Sequence, residues 1–535
     1  MTPRHAPARS IHLALALACL SACGPAETTE PDPDPQNLCE VSWDAEAGSY
    51  AARGEASRSE LWEPGPHHVW TSSPADACAD HPTFEDEGGA EIAMHVHFPA
   101  NGDPLAGEGA SAAAGPWPVV VFIHSNLDRK EEDGSCVPIF ERYRSLHAHW
   151  ASWGYVVASV DNTAQNCRRD SDNLYERSQL QLDAVAALEA MNADPEDRLF
   201  GRVDTGKLVF AGHSRGGGSS LLSYNAADYP VAGVIGLQPL SMSGFGSPRV
   251  DAPYIGFTAG EDVDLNYPHV EVTEEVLDGA YTMVTINGGI HAWTADTIPQ
   301  EPDDEPLITQ REQHDVTQHF TTAFLASVIG LSDGSASPDF APLDMSDVLY
   351  GHGGAEALEA NEVSALGAAT RWRAPGEDAT LIDDFDRADP STNALGGANE
   401  VVSMEAAEEV FTFKPDEDSP SAGHRRATSL RMTPPSGQAG VWRTSFEGIE
   451  GVTGATLQAR VKGADGATAP SFVVTLRGVD GGEQRVGVGA EHIGPRPLTN
   501  RYTQLVVPIT LDEVGEVELE VEGGALFIDA LRVVR

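Results

Sequence analysis

Continuous apolar runs of strand length alternate with helical periodicity over the first part of the chain, and short alternating runs replace them near its end. Residues 91–98 alternate apolar and polar positions and predict a strand. Residues 118–123, 155–160 and 207–211 are apolar runs, the pattern of strands buried on both faces. Residues 234–237, 254–257 and 282–286 supply three more. Between them, residues 143–153 and 179–191 predict helices, residues 217–227 a helix opening with small residues, and residues 316–329 a closing helix. Buried strands alternating with helices imply an α/β domain, a mostly parallel sheet with helices on both faces. Residues 331–380, rich in Gly, Ala, Ser, Pro and acidic residues, read as a linker with a short helix near 355–366. From residue 381 helical periodicity fades, and alternating runs at 456–461, 471–476, 504–509, 517–521 and 526–534 predict an all-β sandwich.

The 535 residues exceed what one core normally organises, in keeping with two folded domains. A formal net charge of −49 excludes nucleic acid and anionic membrane surfaces as partners. Arg4 and Arg9 precede an apolar run at 11–20 that is too short to span a bilayer. Leu20-Ser21-Ala22-Cys23 resembles the lipobox of bacterial lipoproteins, which implies a signal peptide over 1–22 and a lipid on Cys23. Such a chain is exported to the outer membrane or cell surface and meets the membrane through its anchor only. Residues 23–38 read as a disordered tether, 39–330 as the α/β domain, 331–380 as the linker region and 381–535 as the sandwich. Cys39, Cys78, Cys136 and Cys167 remain for an oxidising compartment. Of three pairings, Cys39–Cys78 and Cys136–Cys167 are preferred, the latter because both cysteines follow neighbouring strands.

Gly212-His213-Ser214-Arg215-Gly216 fits G-x-S-x-G, between a predicted strand and a predicted helix. That context turns a common glycine-serine pattern into a candidate nucleophile, because a tight strand-to-helix turn pushes the serine out of the sheet. A serine needs a base, and the base needs an orienting carboxylate. The strand at 254–258 runs into Glu261, Asp262 and Asp264; Asp264 is the chosen acid, Asp262 the reserve, and Glu261 faces solvent. Among 18 histidines, His291 follows a strand on a loop at the same sheet edge as Ser214 and is the chosen base. His95 and His97 lie on an early strand, while His314 and His319 sit by the last helix as structural residues. Oxyanion donors are expected from the backbone of Arg215 and of Asn126, with Ser125 as the reserve.

These residues resemble the α/β-hydrolase superfamily over about 91–329, within it the cutinase-like polyester hydrolases, chlorophyllases and platelet-activating-factor acetylhydrolases. The elbow at 212–217 looks like the chlorophyllase form, 260–268 is similar to the acid loop of polyester hydrolases and places the acid at Asp264, and 289–291 matches their histidine loop. His124-Ser125 departs from the His-Gly of many members. The resemblance implies a serine carboxylic ester hydrolase, with no cofactor for catalysis, acting on lipid, polyester or other bulky esters. The short 238–253 connection leaves little room for a helical cap, although 294–310 could fold over the site.

Residues 381–386, 393–397 and 527–531 resemble the opening and final strands of galactose-binding-like sandwiches, whose relatives include carbohydrate-binding modules. That resemblance brings two expectations. Asp383, Asp384, Asp386 and Asp529 would hold a structural calcium, or are simply acidic edge residues. Trp442 and Tyr502 would stack on a glycan, or belong to the core. Two further readings follow: an esterase that deacylates polysaccharides, guided by the sandwich, and an inactive glycan-binding surface lipoprotein.

Overall fold

The computed structural model describes residues 61–72, 81–100, 115–126, 134–166, 172–240, 249–262, 264–265, 273–274, 276–297, 306–332, 334, 339–351, 358, 368–385, 389, 391–411, 427–464, 469–494, 498 and 502–535. The signal peptide, the tether, Cys23, Cys39, Cys78, Cys167 and Asp386 lie outside these residues, as does most of the expected 355–366 helix. Cys136 carries a free thiol that donates to the Asn166 carbonyl at 3.1 Å.

The first sheet holds β1 (His68–Thr71), β2 (Thr83–Glu85), β3 (Glu91–Ala100), β4 (Trp117–Ile123), β5 (Val156–Val160), β6 (Val203–His213), β7 (Val231–Leu237), β8 (Tyr254–Ala259), β9 (Tyr281–Ile286) and β10 (Ala368–Arg373). Their order is β1-β3-β5-β4-β6-β7-β8-β9-β10, with β2 on β3. The run β5-β4-β6-β7-β8-β9 is parallel, whereas β1, β3 and β10 pair antiparallel at the two edges. Every residue of β4 and β5 is buried, as their unbroken apolar runs require.

The helices are α1 (Arg144–Ser152), α2 (Asp172–Ala193), α3 (Arg215–Ala226), α4 (Gln310–Val328) and α5 (Ser346–Leu349). The β4–α1–β5 connection runs one way along the sheet, while β5–α2–β6 and β6–α3–β7 run the other. With right-handed crossovers, α1 falls on one face and α2 and α3 on the opposite face. The direction of connection reverses between β4 and β6. The crevice beyond their carboxyl ends is where open α/β sheets bind ligands.

The second half forms two antiparallel sheets around one apolar core. One contains β11 (Ala379–Asp383), β13 (Glu405–Phe411), β14 (Ala427–Thr433), β16 (Thr456–Gly463), β19 (Thr503–Pro508) and β21 (Leu526–Val534). The other contains β12 (Ala398–Val401), β15 (Gly440–Glu450), β17 (Ser471–Arg477), β18 (Glu483–Gly487) and β20 (Glu513–Glu522), with α6 (Ala490–Ile493) before β19.

One boundary differs from the sequence expectation. The region 331–380 is not simply a linker: its residues 368–373 form β10, whose hydrogen bonds to β9 close the first sheet. Composition missed this because β10, Ala-Ala-Thr-Arg-Trp-Arg, carries two arginines. One of them, Arg371, meets the sandwich, while Arg373 donates to the Leu277 and Gly279 carbonyls at 2.7 and 2.6 Å. Arg371 donates to the Ala530 carbonyl at 3.3 Å, Arg532 to that of Trp372 at 3.3 Å, and Gln504 to Thr285 Oγ1 at 3.2 Å. At the centre lies Glu274, which follows the β8 turn, with Arg460, Arg371 and Arg532 at 2.8, 3.3 and 3.4 Å. Burial alone would raise its carboxyl, but the three guanidiniums outweigh this and hold it down at about 2. Cys39–Arg535 accordingly forms one compact unit. Glu274→Gln strands three buried cations, so the urea midpoint should fall by the equivalent of about 3–5 kcal/mol. An unchanged midpoint would show that the cluster holds nothing together.

A row of imidazoles fills the space between β3 and α1. Ring centroids are 5.3 Å apart for His81 and His95, 4.3 Å for His95 and His97, and 5.6 Å for His97 and His147. Among the described residues, both ring nitrogens of His95 and of His147 are buried without a hydrogen-bond partner.

Candidate active site

Ser214 ends β6 and opens α3 with φ 57° and ψ −121°, a backbone that non-glycine residues adopt at a cost. The flanking glycines make the turn sterically feasible. A Cβ on Gly212 would lie 2.3 Å from the Gly216 backbone, and one on Gly216 would lie 2.1 Å from the Ile123 carbonyl. The Ser214 amide donates to the Leu237 carbonyl at 2.9 Å, and its carbonyl accepts from Leu240 at 2.8 Å. The elbow is thereby tied to the end of β7.

His291 lies beyond β9. The turn after Ile286 uses Gly288 at φ 78°, and Gln313 of α4 then grips the neighbouring backbone from both sides. Gln313 Oε1 accepts from the Ile290 amide at 2.9 Å, and its Nε2 donates to the Ile290 carbonyl at 2.8 Å. The His291 ring rests on the ring of His213, the residue before Ser214, with centroids 4.6 Å apart.

The carboxylate that pairs with Nδ1 of His291 is Asp262, the reserve, rather than the expected Asp264. Asp262 Oδ2 lies 2.8 Å from His291 Nδ1, and Asp262 is only 2 % exposed. Its Oδ1 accepts from the amides of Asp264 and Leu265 at 2.8 and 2.7 Å. Burial pushes this carboxyl up, but the charge and hydrogen bond of His291 and those two amides bring it below its usual value. Asp264 instead points outward, with a side chain 74 % exposed and Oδ2 4.0 Å from His291 Nε2. The reason is the tightness of the turn. The Gly260 amide returns to Ile286, Glu261 to Gly289 and Asp262 to Ala259, so the third residue past β8 already lies under the histidine loop.

The expected oxyanion residues flank this site. Arg215 is the first residue of α3, where amides have no intrahelical acceptor. The amide of Ser125, the reserve, is taken by Tyr143 Oη at 3.3 Å, while among the described residues the Asn126 amide has no acceptor. Arg177 holds this loop from α2. Its guanidinium is fully buried and donates to the His124 carbonyl at 2.9 Å, Asn126 Oδ1 at 3.1 Å and Asn173 Oδ1 at 2.6 Å. Tyr143 Oη links the same loop to the elbow, donating to Ser125 Oγ at 3.0 Å and lying 2.9 Å from His213 Nδ1. Burial pushes the Tyr143 phenol up to about 12 and keeps His213 neutral by driving its pKa well down. Arg177, Tyr143 and Gln313 escaped the sequence reading. Each lies inside a helical stretch or at its start and carries no motif of its own.

The aspartates named for calcium are occupied otherwise. Asp383 accepts from the Phe385 amide at 2.9 Å and from Asn399 Nδ2 at 2.7 Å, and Asp529 from the Ala530 amide at 2.6 Å. Among the described residues, which leave out Asp386, no three acidic, histidine or cysteine side chains converge as metal ligands. Trp442 is 1 % exposed and packs on Phe385 with centroids 5.9 Å apart, so it belongs to the core rather than to a glycan platform. The face of the second sheet carries an ionic ladder. Arg443 and Arg477 both pair with Glu518, at 2.6 and 3.1 Å, and Arg485 pairs with Glu520 at 2.7 Å.

In comparisons with known proteins, no family model and no curated protein matches this chain.

Proposed function

We propose that this chain is an exported, lipid-anchored serine carboxylic ester hydrolase with an α/β-hydrolase fold, working through Ser214, His291 and Asp262. The observation that carries the reading is the Asp262–His291 pair, delivered beside a strained serine elbow at the sheet's switch point. Asp262 fixes the His291 tautomer, with the proton on Nδ1 and Nε2 left to act as base. Ser214 Oγ attacks the ester carbonyl as its proton passes to Nε2. The Arg215 and Asn126 amides receive the tetrahedral oxyanion. Collapse expels the alcohol, which takes the proton from Nε2, and an acyl-serine remains. Water, deprotonated by Nε2, then releases the acid and restores the serine.

Hydrolysis of p-nitrophenyl acetate by the purified protein tests the proposal. Ser214→Ala should lower kcat by about 10⁴–10⁶, since triad members act as a unit. Equal rates for wild type and Ser214→Ala would end the serine-hydrolase reading.

A further inference from the structure

Two carboxylates bracket His291. Asp262 holds Nδ1, while the exposed Asp264 stands 4.0 Å from Nε2, the nitrogen that on the reading above protonates the departing alcohol. From this geometry we infer that Asp264 selects esters whose alcohol carries a positive charge, an amino alcohol or its quaternary form. The inference rests on the serine-hydrolase reading.

The argument is one of placement. An alcohol oxygen within hydrogen-bonding reach of Nε2 puts the first few atoms of the leaving group within a few ångströms of the Asp264 carboxylate. Among the described residues, no lysine or arginine neutralises Asp264. A positive substituent on the alcohol therefore meets an uncompensated negative charge, and an anionic one meets repulsion. The turn that buries Asp262 also fixes Asp264, because the Asp264 amide is held by Asp262 Oδ1 at 2.8 Å. The selecting charge and the orienting charge are thus joined by a backbone hydrogen bond and lie by different nitrogens of the same ring. The net charge of −49 adds a general attraction for cations, but removing one exposed carboxylate hardly alters that far field. A local effect of Asp264 can therefore be separated from it.

Acetylcholine and 3,3-dimethylbutyl acetate, its neutral isostere, provide the test, with kcat/KM measured for both at low salt. Wild type should prefer the cation by about fivefold, the scale of a solvent-exposed charge pair at this range. The ratio should approach one in Asp264→Asn and should contract for wild type at 0.5 M salt. Glu87→Gln, an equal charge change on the exposed β2–β3 turn, should keep the wild-type ratio. A wild-type ratio of one or less, or a ratio unmoved by Asp264→Asn, overturns the selection. If neither ester nor p-nitrophenyl acetate is cleaved by wild type, the hydrolase reading falls and takes this inference with it.

Discussion

Asp262→Asn should lower kcat on p-nitrophenyl acetate by about 10⁴, because an amide at Nδ1 of His291 no longer fixes the tautomer or balances the imidazolium. Asp264→Asn should change the same rate by less than about tenfold, since an exposed carboxylate 4.0 Å from the outer nitrogen supplies only screened electrostatics. The two substitutions are chemically identical and two residues apart, so their contrast isolates burial and direction as the cause. Circular dichroism of both variants checks that the fold is kept. Comparable losses in the two, or a larger loss in Asp264→Asn, would return the acid to the outer position and break the geometry argued above.

Mild acid should unfold the protein steeply. His95, His97, His124, His147, His149, His213 and His319 are all buried with pKa values driven down, chiefly by desolvation, and those of His147, His149 and His319 fall to about 3. In the unfolded chain each titrates near 6.5. Between those values the unfolded state binds more protons than the folded one, so stability is fully present above about pH 6.5 and is lost as pH falls below it. Each such histidine contributes a slope approaching 1.4 kcal/mol per pH unit, and together they approach roughly 9. Against an ordinary stability of about 5–15 kcal/mol, the acid midpoint should lie between about pH 5 and 6. Tryptophan fluorescence and near-UV circular dichroism from pH 8 to 4.5 give the measurement. Native signals persisting at pH 4.5 would show that the imidazoles are not as buried as described.

Much of the fold was legible because its information is local. An unbroken apolar run such as 118–123 can only be a strand covered on both sides, and β4 spans Trp117–Ile123. The last strand was read at its observed limits, Leu526–Val534. The serine elbow was legible for the same reason, since the glycines that permit it lie within two residues of Ser214. β15 escaped, although it spans Gly440–Glu450, because its Arg, Ser and Glu positions dilute the alternation. β12, β13 and β18 are charged edge or near-edge strands with the same defect.

The amino-acid order alone set the alternation of strand and helix, the position of the serine elbow and the loop that carries His291, because each depends on neighbours within one turn or one strand. Tertiary structure alone decided that Asp262 and not Asp264 bonds to Nδ1 of the imidazole, that Arg177, Tyr143 and Gln313 hold the loops around it, and that Glu274 binds the sandwich to the sheet through three arginines. A side chain's direction at the end of a strand is settled by hydrogen bonds to chain segments far away in sequence. Two carboxylates in one short turn look alike until the fold buries one and leaves the other in water.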